Sequence, residues 1–379
     1  MSDALDHDAP DRLEGTLREV VETLAPIDRT PCSAGEREAA EWVAERLHAS
    51  GADVALEDEP SWGTFPPTAT GTGVLGMAGA VLVLRKRRTT VNLVGRVGDS
   101  AAPATLVVLA HHDAPQTGAL FDQTLQRRLH ERAPGLLERF KTPLPQWWIG
   151  LAGPLATFAG ALTARRRFAR AGLAIGALGT AAVADIWRSE TVQGANDNLS
   201  GVASLVALAE LLREQPIPGL RVLLVSCGAE ETLQDGIRAF VASHSEELDP
   251  ARTAFVNLDT VGSPHLVMLE AEGPVWMESY AGPWLRDLVE ARAERLGVPL
   301  LRGFRARAST DSVIPSRAGY AIATLVSVTD WMSPANYHLP SDVPANLDYA
   351  SVADATRLVY SVAQDLPVAL AAGAVSGSA

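Results

Sequence analysis

The sequence predicts an α/β fold, with a mostly parallel, mixed central sheet and helices on both of its faces. Three observations lead there. From Thr90 onward, near-continuous apolar runs alternate with amphipathic stretches. Strands covered on both faces read as unbroken apolar runs, and the helical stretches between them are the crossovers that parallel pairing requires. The runs also end in His, Asp and Glu, at the carboxyl ends where open α/β sheets carry their working residues.

In chain order, DRLEGTLREVVETLAPI and GEREAAEWVAERLHAS carry apolar residues at helical spacing, and Gly51 is placed to stop the second. ADVALED alternates and reads as a short strand. VNLVGRV, ATLVVLAHHD, GLRVLLVSCGAE, TAFVNLDTVG, HLVMLE and YAIATLVSV are the further strand candidates. Helices are expected at 199–214, 235–248, 281–296 and 349–371. A chain of 379 residues can bury a large core. We read residues 1–379 as one catalytic domain carrying two insertions, an apolar one at 68–88 and a longer one at 114–190.

Composition narrows the function. The chain is 47% hydrophobic and 20% charged, which excludes disordered and collagen-like classes. A formal net charge of −13 argues against nucleic acid as a partner, since binding phosphates needs a basic face. Two cysteines, Cys32 and Cys227, make neither a disulfide framework nor a cysteine zinc site. Cys227 lies in an apolar strand and reads as an inert core thiol. The N-terminal MSDALDHDAPDRLEG lacks the basic and apolar regions of a secretory signal, which points to the cytoplasm unless an insertion engages a membrane.

The chemistry gathers at the strand ends. ATLVVLA runs into His111, His112 and Asp113; LRVLLVS is followed by Cys227, Gly228, Ala229, Glu230 and Glu231; AFVNL is followed by Asp259. GANDNLSG places Asp197 in a turn that runs into a helix, and YHLPSD supplies Tyr337 and His338. Catalytic divalent metals take imidazole nitrogens and carboxylate oxygens, and two such ions share one carboxylate. Two histidines and three carboxylates as ligands, with one glutamate left for proton transfer, suit a two-metal hydrolase. Taken singly, the residues have ordinary readings: Glu230 and Glu231 as an acidic helix start, Asp197 as a turn residue, His112 as a solvated neighbour of His111.

The set HHD, GANDNLSG, CGAEE, NLDTVG and YHLPSD resembles the zinc aminopeptidase family of peptidase clan MH. That group includes bacterial leucyl-type aminopeptidases, glutamate carboxypeptidase and glutaminyl cyclases, and RTPCSAGEREAAEWVAERL is similar to its N-terminal segment. The resemblance implies the phosphorylase/hydrolase-like zinc exopeptidase fold, a peptide substrate and two Zn2+ ions. It implies that His111 and Asp259 hold one zinc, Glu231 and His338 the other, and that Asp197 bridges them. It further implies Glu230 as general base, Tyr337 as a hydroxyl aimed at the oxyanion, and Asp113 as support for a ligand histidine or its loop. Where many relatives have Ser-Asp-His, this chain has Ser309, Thr310, Asp311 and Ser312, so the histidine is missing. A carboxypeptidase, a glutaminyl-cyclase-like enzyme and a non-catalytic receptor are the alternatives. A carboxypeptidase would need a cation for the substrate carboxylate, and Arg302, Arg305 and Arg307 lie in a suitable loop.

His111 and Asp197 are 86 positions apart, where relatives need only a short loop. Within that interval residues 142–164 are 23 without a charge, long enough for about one bilayer crossing. AGLAIGALGTAAVA at 171–184 is a shorter second arm. Trp147, Trp148 and Trp187 stand at the open end, and Arg165, Arg166, Arg167 and Arg170 at the closed end. The expectation is an apolar helical hairpin over 142–187 that associates with a membrane surface or bilayer, aided by 68–84. Packing as a dimer contact is the soluble alternative.

Overall fold

The computed structural model describes residues 9–61, 87–142, 148–163, 165–273 and 276–376; the apolar segment 68–84 and Trp147 lie outside them. Nine strands form one mixed sheet: β1 (Asp53–Ser61), β2 (Arg88–Gly98), β3 (Ala104–His111), β4 (Leu220–Cys227), β5 (Thr253–Leu258), β6 (His265–Glu272), β7 (Glu278–Ser279), β8 (Leu301–Ala306) and β9 (Ala321–Val328). Their order is β1-β2-β4-β3-β5-β9-β6-β7, with β8 paired to β6. The centre, β4-β3-β5-β9, is parallel. Antiparallel pairing begins at β2–β4 on one side and at β6–β9 on the other.

Eleven α-helices are present among the described residues: α1 (Ala9–Leu24), α2 (Ala34–Ala49), α3 (Thr124–Arg132), α4 (Leu136–Phe140), α5 (Ile149–Leu162), α6 (Arg166–Arg188), α7 (Ser200–Glu214), α8 (Asp235–His244), α9 (Pro283–Leu296), α10 (Val313–Arg317) and α11 (Tyr349–Ser376). The strand β8 was not expected: LRGFRA alternates poorly and carries two arginines.

Alternation along β3 divides the core. Leu106, Val108 and Ala110 pack with α1, α2, α7, α9 and α11 on one face. Val107 and Leu109 pack with Ile237 and Phe240 of α8 and with Phe255 on the other. Side chains of successive strand residues point to opposite faces, so an unbroken apolar run serves both layers. Fully burying one such side chain contributes roughly 1.5–3 kcal/mol.

The parallel register positions the site. His111 lies beside Cys227, and Leu109 lies beside Asn257. The residues immediately beyond β4 and β5, Glu230, Glu231 and Asp259, therefore emerge on either side of His111.

Between β3 and α7, α5 and α6 form an antiparallel hairpin. Cβ atoms built at Gly153, Gly160 and Gly172 would fall 2.5, 2.3 and 2.3 Å from backbone atoms of the facing helix, so glycine permits the close approach. The hairpin is tied down at its base, where Ala119 N donates to Asp185 Oδ2 at 2.8 Å and Thr117 N to Glu190 O at 3.1 Å.

At the far end of β6, Glu272 is wholly buried; its Oε2 accepts from Tyr280 Oη at 2.8 Å and from Thr310 N at 3.0 Å. Burial pushes its carboxyl up to about 8. A folded value above the ordinary 4.5 means that its stability contribution is fully present below 4.5 and is lost as pH rises through about 8. Glu272→Gln, which keeps an acceptor oxygen, should be near neutral at pH ~5 and stabilising by about 1–3 kcal/mol at pH ~9. Urea unfolding across that range checks this, and a constant difference would disprove it.

Candidate active site

The candidate site is assembled on the carboxyl side of the parallel strands. Its frame is the turn after Gly194, a glycine at φ +57 whose Cβ would sit 2.4 Å from Asp197 O. Asn198 ties this turn to the end of β5: its Oδ1 accepts from Gly201 N and Thr260 N, both at 3.1 Å, and its Nδ2 donates to Leu258 O at 2.9 Å. Asn196 Oδ1 accepts from Gly262 N at 2.8 Å. The two asparagines thus lock Asp197 against the loop that carries Asp259. Ala229, Thr260 and His338, each next to or part of the predicted set, adopt positive φ of 51, 52 and 55. Such backbone is uncommon outside glycine and collects where surrounding structure holds it for function.

Three buried carboxylates hold the loops from behind. Asp113 accepts from Glu230 N and Glu231 N, both at 3.1 Å, while its Oδ1 lies 3.4 Å from His111 Nδ1. It therefore serves both the histidine and the acidic loop. Asp342 accepts from Asn196 N at 2.7 Å and Asp197 N at 3.1 Å. Glu36, from α2, accepts from Ala229 N at 2.9 Å, Thr90 Oγ1 at 2.8 Å and Cys32 N at 3.0 Å. Arg29 is fully buried and donates to the carbonyls of His112, Leu24 and Gln193. Burial lowers its guanidinium to about 10, against the opposing pull of Asp342 and Asp113. Asp342, Glu36 and Arg29 were not singled out in the sequence. Asp342 closes YHLPSD and Glu36 lies in the N-terminal segment, so the motifs themselves were the available signal.

The predicted ligands converge. His111 Nε2 lies 3.3 Å from Asp197 Oδ1, and His338 Nε2 lies 3.1 Å from Asp197 Oδ2 and 3.5 Å from Glu231 Oε1. His111, Asp197 and Asp259 form one group whose ligand atoms lie within 4.8 Å of one another; Asp197, Glu231 and His338 form a second. Asp197 belongs to both. Glu230 joins His111 and Glu231 in a third such group. Tyr337 shares the adjoining cavity, of about 100 Å³, with all of these acids and His111, and its ring lies 4.0 Å from that of His338.

Electrostatics agree with a cation between them. Burial, followed by Asp311, Glu231 and Asp259 against the counter-effect of His111, pushes Glu230 well above the carboxylate range. Burial and Asp197 do the same for Glu231, and burial brings Asp259 to about 7. Burial alone would raise Asp197 too, yet contact with His111 and His338 holds it below the usual range. His338 Nε2 and Asp197 Oδ2 are buried and make no hydrogen bond among the described residues. Two lone-pair-bearing atoms so close, unsatisfied and surrounded by further carboxylates, fit a divalent cation. The His/carboxylate donor set suits zinc.

One expectation is overturned. His112 is not solvated: it is fully buried, its Nδ1 lies 2.9 Å from Ser226 Oγ, and burial lowers it to about 4. The side-chain alternation of β3 turns it away from the site and into the sheet. Of the three loop arginines, Arg302 is engaged by Glu270 and Glu290, each at 2.6 Å, and Arg305 is exposed; Arg307 lines the cavity.

Residues 178–363 match the model of Peptidase family M28. That stretch, just under half of the chain, is similar to the M28 peptidases. The matched stretch contains Asp197, Glu230, Glu231, Asp259 and His338 and begins after His111. The fold is similar to that of a leucine aminopeptidase precursor from Bacteroides thetaiotaomicron, at TM-score 0.60 and 14% identity over 93% of this chain and 97% of that one. A glutaminyl cyclase of the same organism, bound to N-acetylhistamine, matches at TM-score 0.59 and 14% identity with the same coverage of both chains. An aminopeptidase from Aneurinibacillus sp. strain AM-1 matches at TM-score 0.57 and 13% identity, over 93% of each chain. No curated protein matches by sequence.

The supports behind the candidate ligands are testable. Asp342→Ala removes the acceptor that fixes Asp197 and should weaken metal affinity by about 10–100-fold. Competition against a chromophoric chelator measures this. An unchanged affinity would mean that the Asn196 and Asn198 contacts suffice.

Proposed function

We propose that the protein is a metallo-aminopeptidase that removes N-terminal residues from peptides with two zinc ions. The observation that carries the reading is the pair of ligand groups sharing Asp197, with Glu230 beside them and belonging to neither of the two. His111 and Asp259 would hold one ion, Glu231 and His338 the other, and Asp197 both. Bound metal supplies Lewis acidity, polarising the scissile carbonyl and making water a nucleophile at neutral pH.

The side chains do the rest. Glu230 takes the proton of the attacking water and returns it to the departing amine. Its buried, carboxylate-crowded setting favours holding that proton in transit. Tyr337, whose phenol burial keeps protonated, donates to the oxyanion. Asp113 keeps the Glu230–Glu231 loop and the His111 ring in place. A glutaminyl-cyclase-like reaction is the second reading, but the groups around both His111 and His338 favour two ions over one.

Glu230→Gln should retain zinc and lose about 10²–10⁴-fold in activity, whereas Glu231→Gln should lose zinc as well. Emission spectrometry alongside a panel of aminoacyl-nitroanilides measures both, with chelation and return of zinc or cobalt as control. Equal zinc loss in the two variants would refute the division of roles; full activity after prolonged chelation would refute the metal.

We further propose that the α5–α6 hairpin engages a membrane. Leu155, Phe158, Leu162, Leu173 and Leu178 are each at least 59% exposed, and α5 carries no charged residue on any side. A helix apolar all round calls for cover. The exposed Arg165, Arg166, Arg167 and Arg170 at the closed end complement anionic headgroups, and Trp148 and Trp187 stand at the open end. The 14 residues of α5 reach about 21 Å, short of the roughly 30 Å hydrocarbon core, which favours partial insertion over a full crossing. The protein should float with phosphatidylglycerol-containing vesicles, and a variant with those five residues changed to Gln should not, with zinc content unaltered. A discrete detergent-free dimer that ignores vesicles would assign the hairpin to a subunit contact.

A further inference from the structure

The insertion between His111 and Asp197 reaches the candidate site through a short turn, Ala119–Phe121. On one side this turn is set against α6: Ala119 N donates to Asp185 Oδ2 at 2.8 Å, and a Cβ at Gly118 would fall 2.7 Å from Ile186 Cγ1, so glycine lets the two approach. On the other side it carries Phe121, almost wholly buried, to the site. The Phe121 ring centroid lies 4.2 Å from that of His338, tilted by 45°, and 6.0 Å from that of Tyr337, edge-on at 78°. Tyr337 lies 4.0 Å from His338 in turn, so two aromatic rings flank the imidazole. His111 is steadied differently, with its Nδ1 3.4 Å from Asp113 Oδ1. Two residues beyond Phe121, Gln123 grips the stretch that leads to these rings. Its Nε2 donates to Pro334 O at 2.8 Å, and its Oε1 accepts from Trp331 Nε1 at 3.1 Å. Within that stretch Met332, Asn336 and His338 adopt positive φ of 59, 57 and 55. Backbone of that kind persists only where its surroundings hold it.

We infer that Phe121 is a positioning residue, brought in by the insertion, that fixes the imidazole of His338 and the phenol of Tyr337 against the metal-binding acids. This rests on the reading of His338 as a zinc ligand and adds the residue that aims it. A histidine binds metal well only when its ring orientation is fixed, so an imidazole free to turn loses affinity. Here Nε2 must stay near Asp197 Oδ2, at 3.1 Å, and Glu231 Oε1, at 3.5 Å. Phe121 and Tyr337 oppose that turning by contact, as Asp113 does for His111 by its carboxylate. The edge-on approach of Phe121 to Tyr337 is one that aromatic rings favour, so the three rings hold as a unit. Deleting the Phe121 ring would leave a void beside the imidazole and remove the contacts that resist its rotation.

Zinc affinities of the full chain, measured by competition against a chromophoric chelator, test this. Phe121→Ala should weaken the binding of one zinc ion by about 10–100-fold and leave the other unchanged. In a His338→Ala background, where that site is already broken, adding Phe121→Ala should change the remaining affinity by less than about twofold. Phe121→Leu, which keeps apolar bulk without the ring, should fall between wild type and Phe121→Ala. A merely structural role would lower both affinities together or neither, and either result would overturn the inference. Should Phe121→Ala fail to fold, Phe121→Leu carries the same comparison. A second measurement needs no metal. In the metal-free wild type with isotope-labelled histidines, the His338 ring should give one set of magnetic-resonance signals, and in Phe121→Ala a doubled or broadened set. Identical His338 signals in the two proteins would also overturn the inference. A wild type that binds no zinc, with a His338 signal that responds to Phe121→Ala, would sink the zinc reading and leave the positioning role standing. Two ions held equally tightly by wild type and Phe121→Ala would do the reverse.

Discussion

The structure is organised around a concentration of buried negative charge that it cannot leave uncompensated. Asp113, Asp197, Glu230, Glu231, Asp259, Asp311 and Asp342 all lie at or behind the carboxyl ends of the central strands, and most are pushed upward by burial. Uncompensated charges in so dry a place cost several kcal/mol each. Three kinds of partner offset this. Backbone N–H groups of the acidic loop and of the Asp197 turn point at Asp113 and Asp342. His111, His338 and Arg29 supply positive or polarisable groups. The remaining demand falls on the place where His338 Nε2 and Asp197 Oδ2 meet without a hydrogen bond.

That demand explains why loops distant in sequence are stapled so firmly. A metal-binding set works only if its atoms are held against their mutual repulsion before the ion arrives. Asn198 joins the Asp197 turn to β5, Glu36 joins α2 to the loop of Glu230, and Arg29 ties the N-terminal segment to His112 and Gln193. Each staple pairs a buried side chain with backbone groups that would otherwise be orphaned. The N-terminal helices are thus part of the site's support, although none of their residues lines the cavity.

The hairpin is related to the site in another way. It interrupts the chain between His111 and Asp197, yet its base is closed by hydrogen bonds from 117 and 119 to 185 and 190, so both residues return to one locus. Its exposed apolar residues and Trp148, whose ring centroid lies 5.1 Å from the guanidinium carbon of Arg307, face different surroundings. One end of the insertion meets the cavity while the other projects from the body of the protein.

The sheet and the order of its motifs were legible in the sequence because each is a local signal. Apolar runs of seven or eight residues mark buried strands, and the polar residues that end them mark the carboxyl edge. β8 was not legible, because its pairing with β6 rather than its own pattern makes it a strand. His112 was misread for a related reason: adjacent residues on a strand face opposite ways, and only the packing of Ser226 against it shows which face is dry. Asp342, Glu36 and Arg29 look like ordinary charged residues along the chain. Their importance comes from burial against loops some 83 to 193 positions away. Which of Arg302, Arg305 and Arg307 lines the cavity was likewise left to tertiary structure, since three arginines in one short segment share a composition and differ only in their surroundings. Residue identity determined the chemistry available to this protein; long-range packing decided which copies of each group were withdrawn from water and brought to bear on one another.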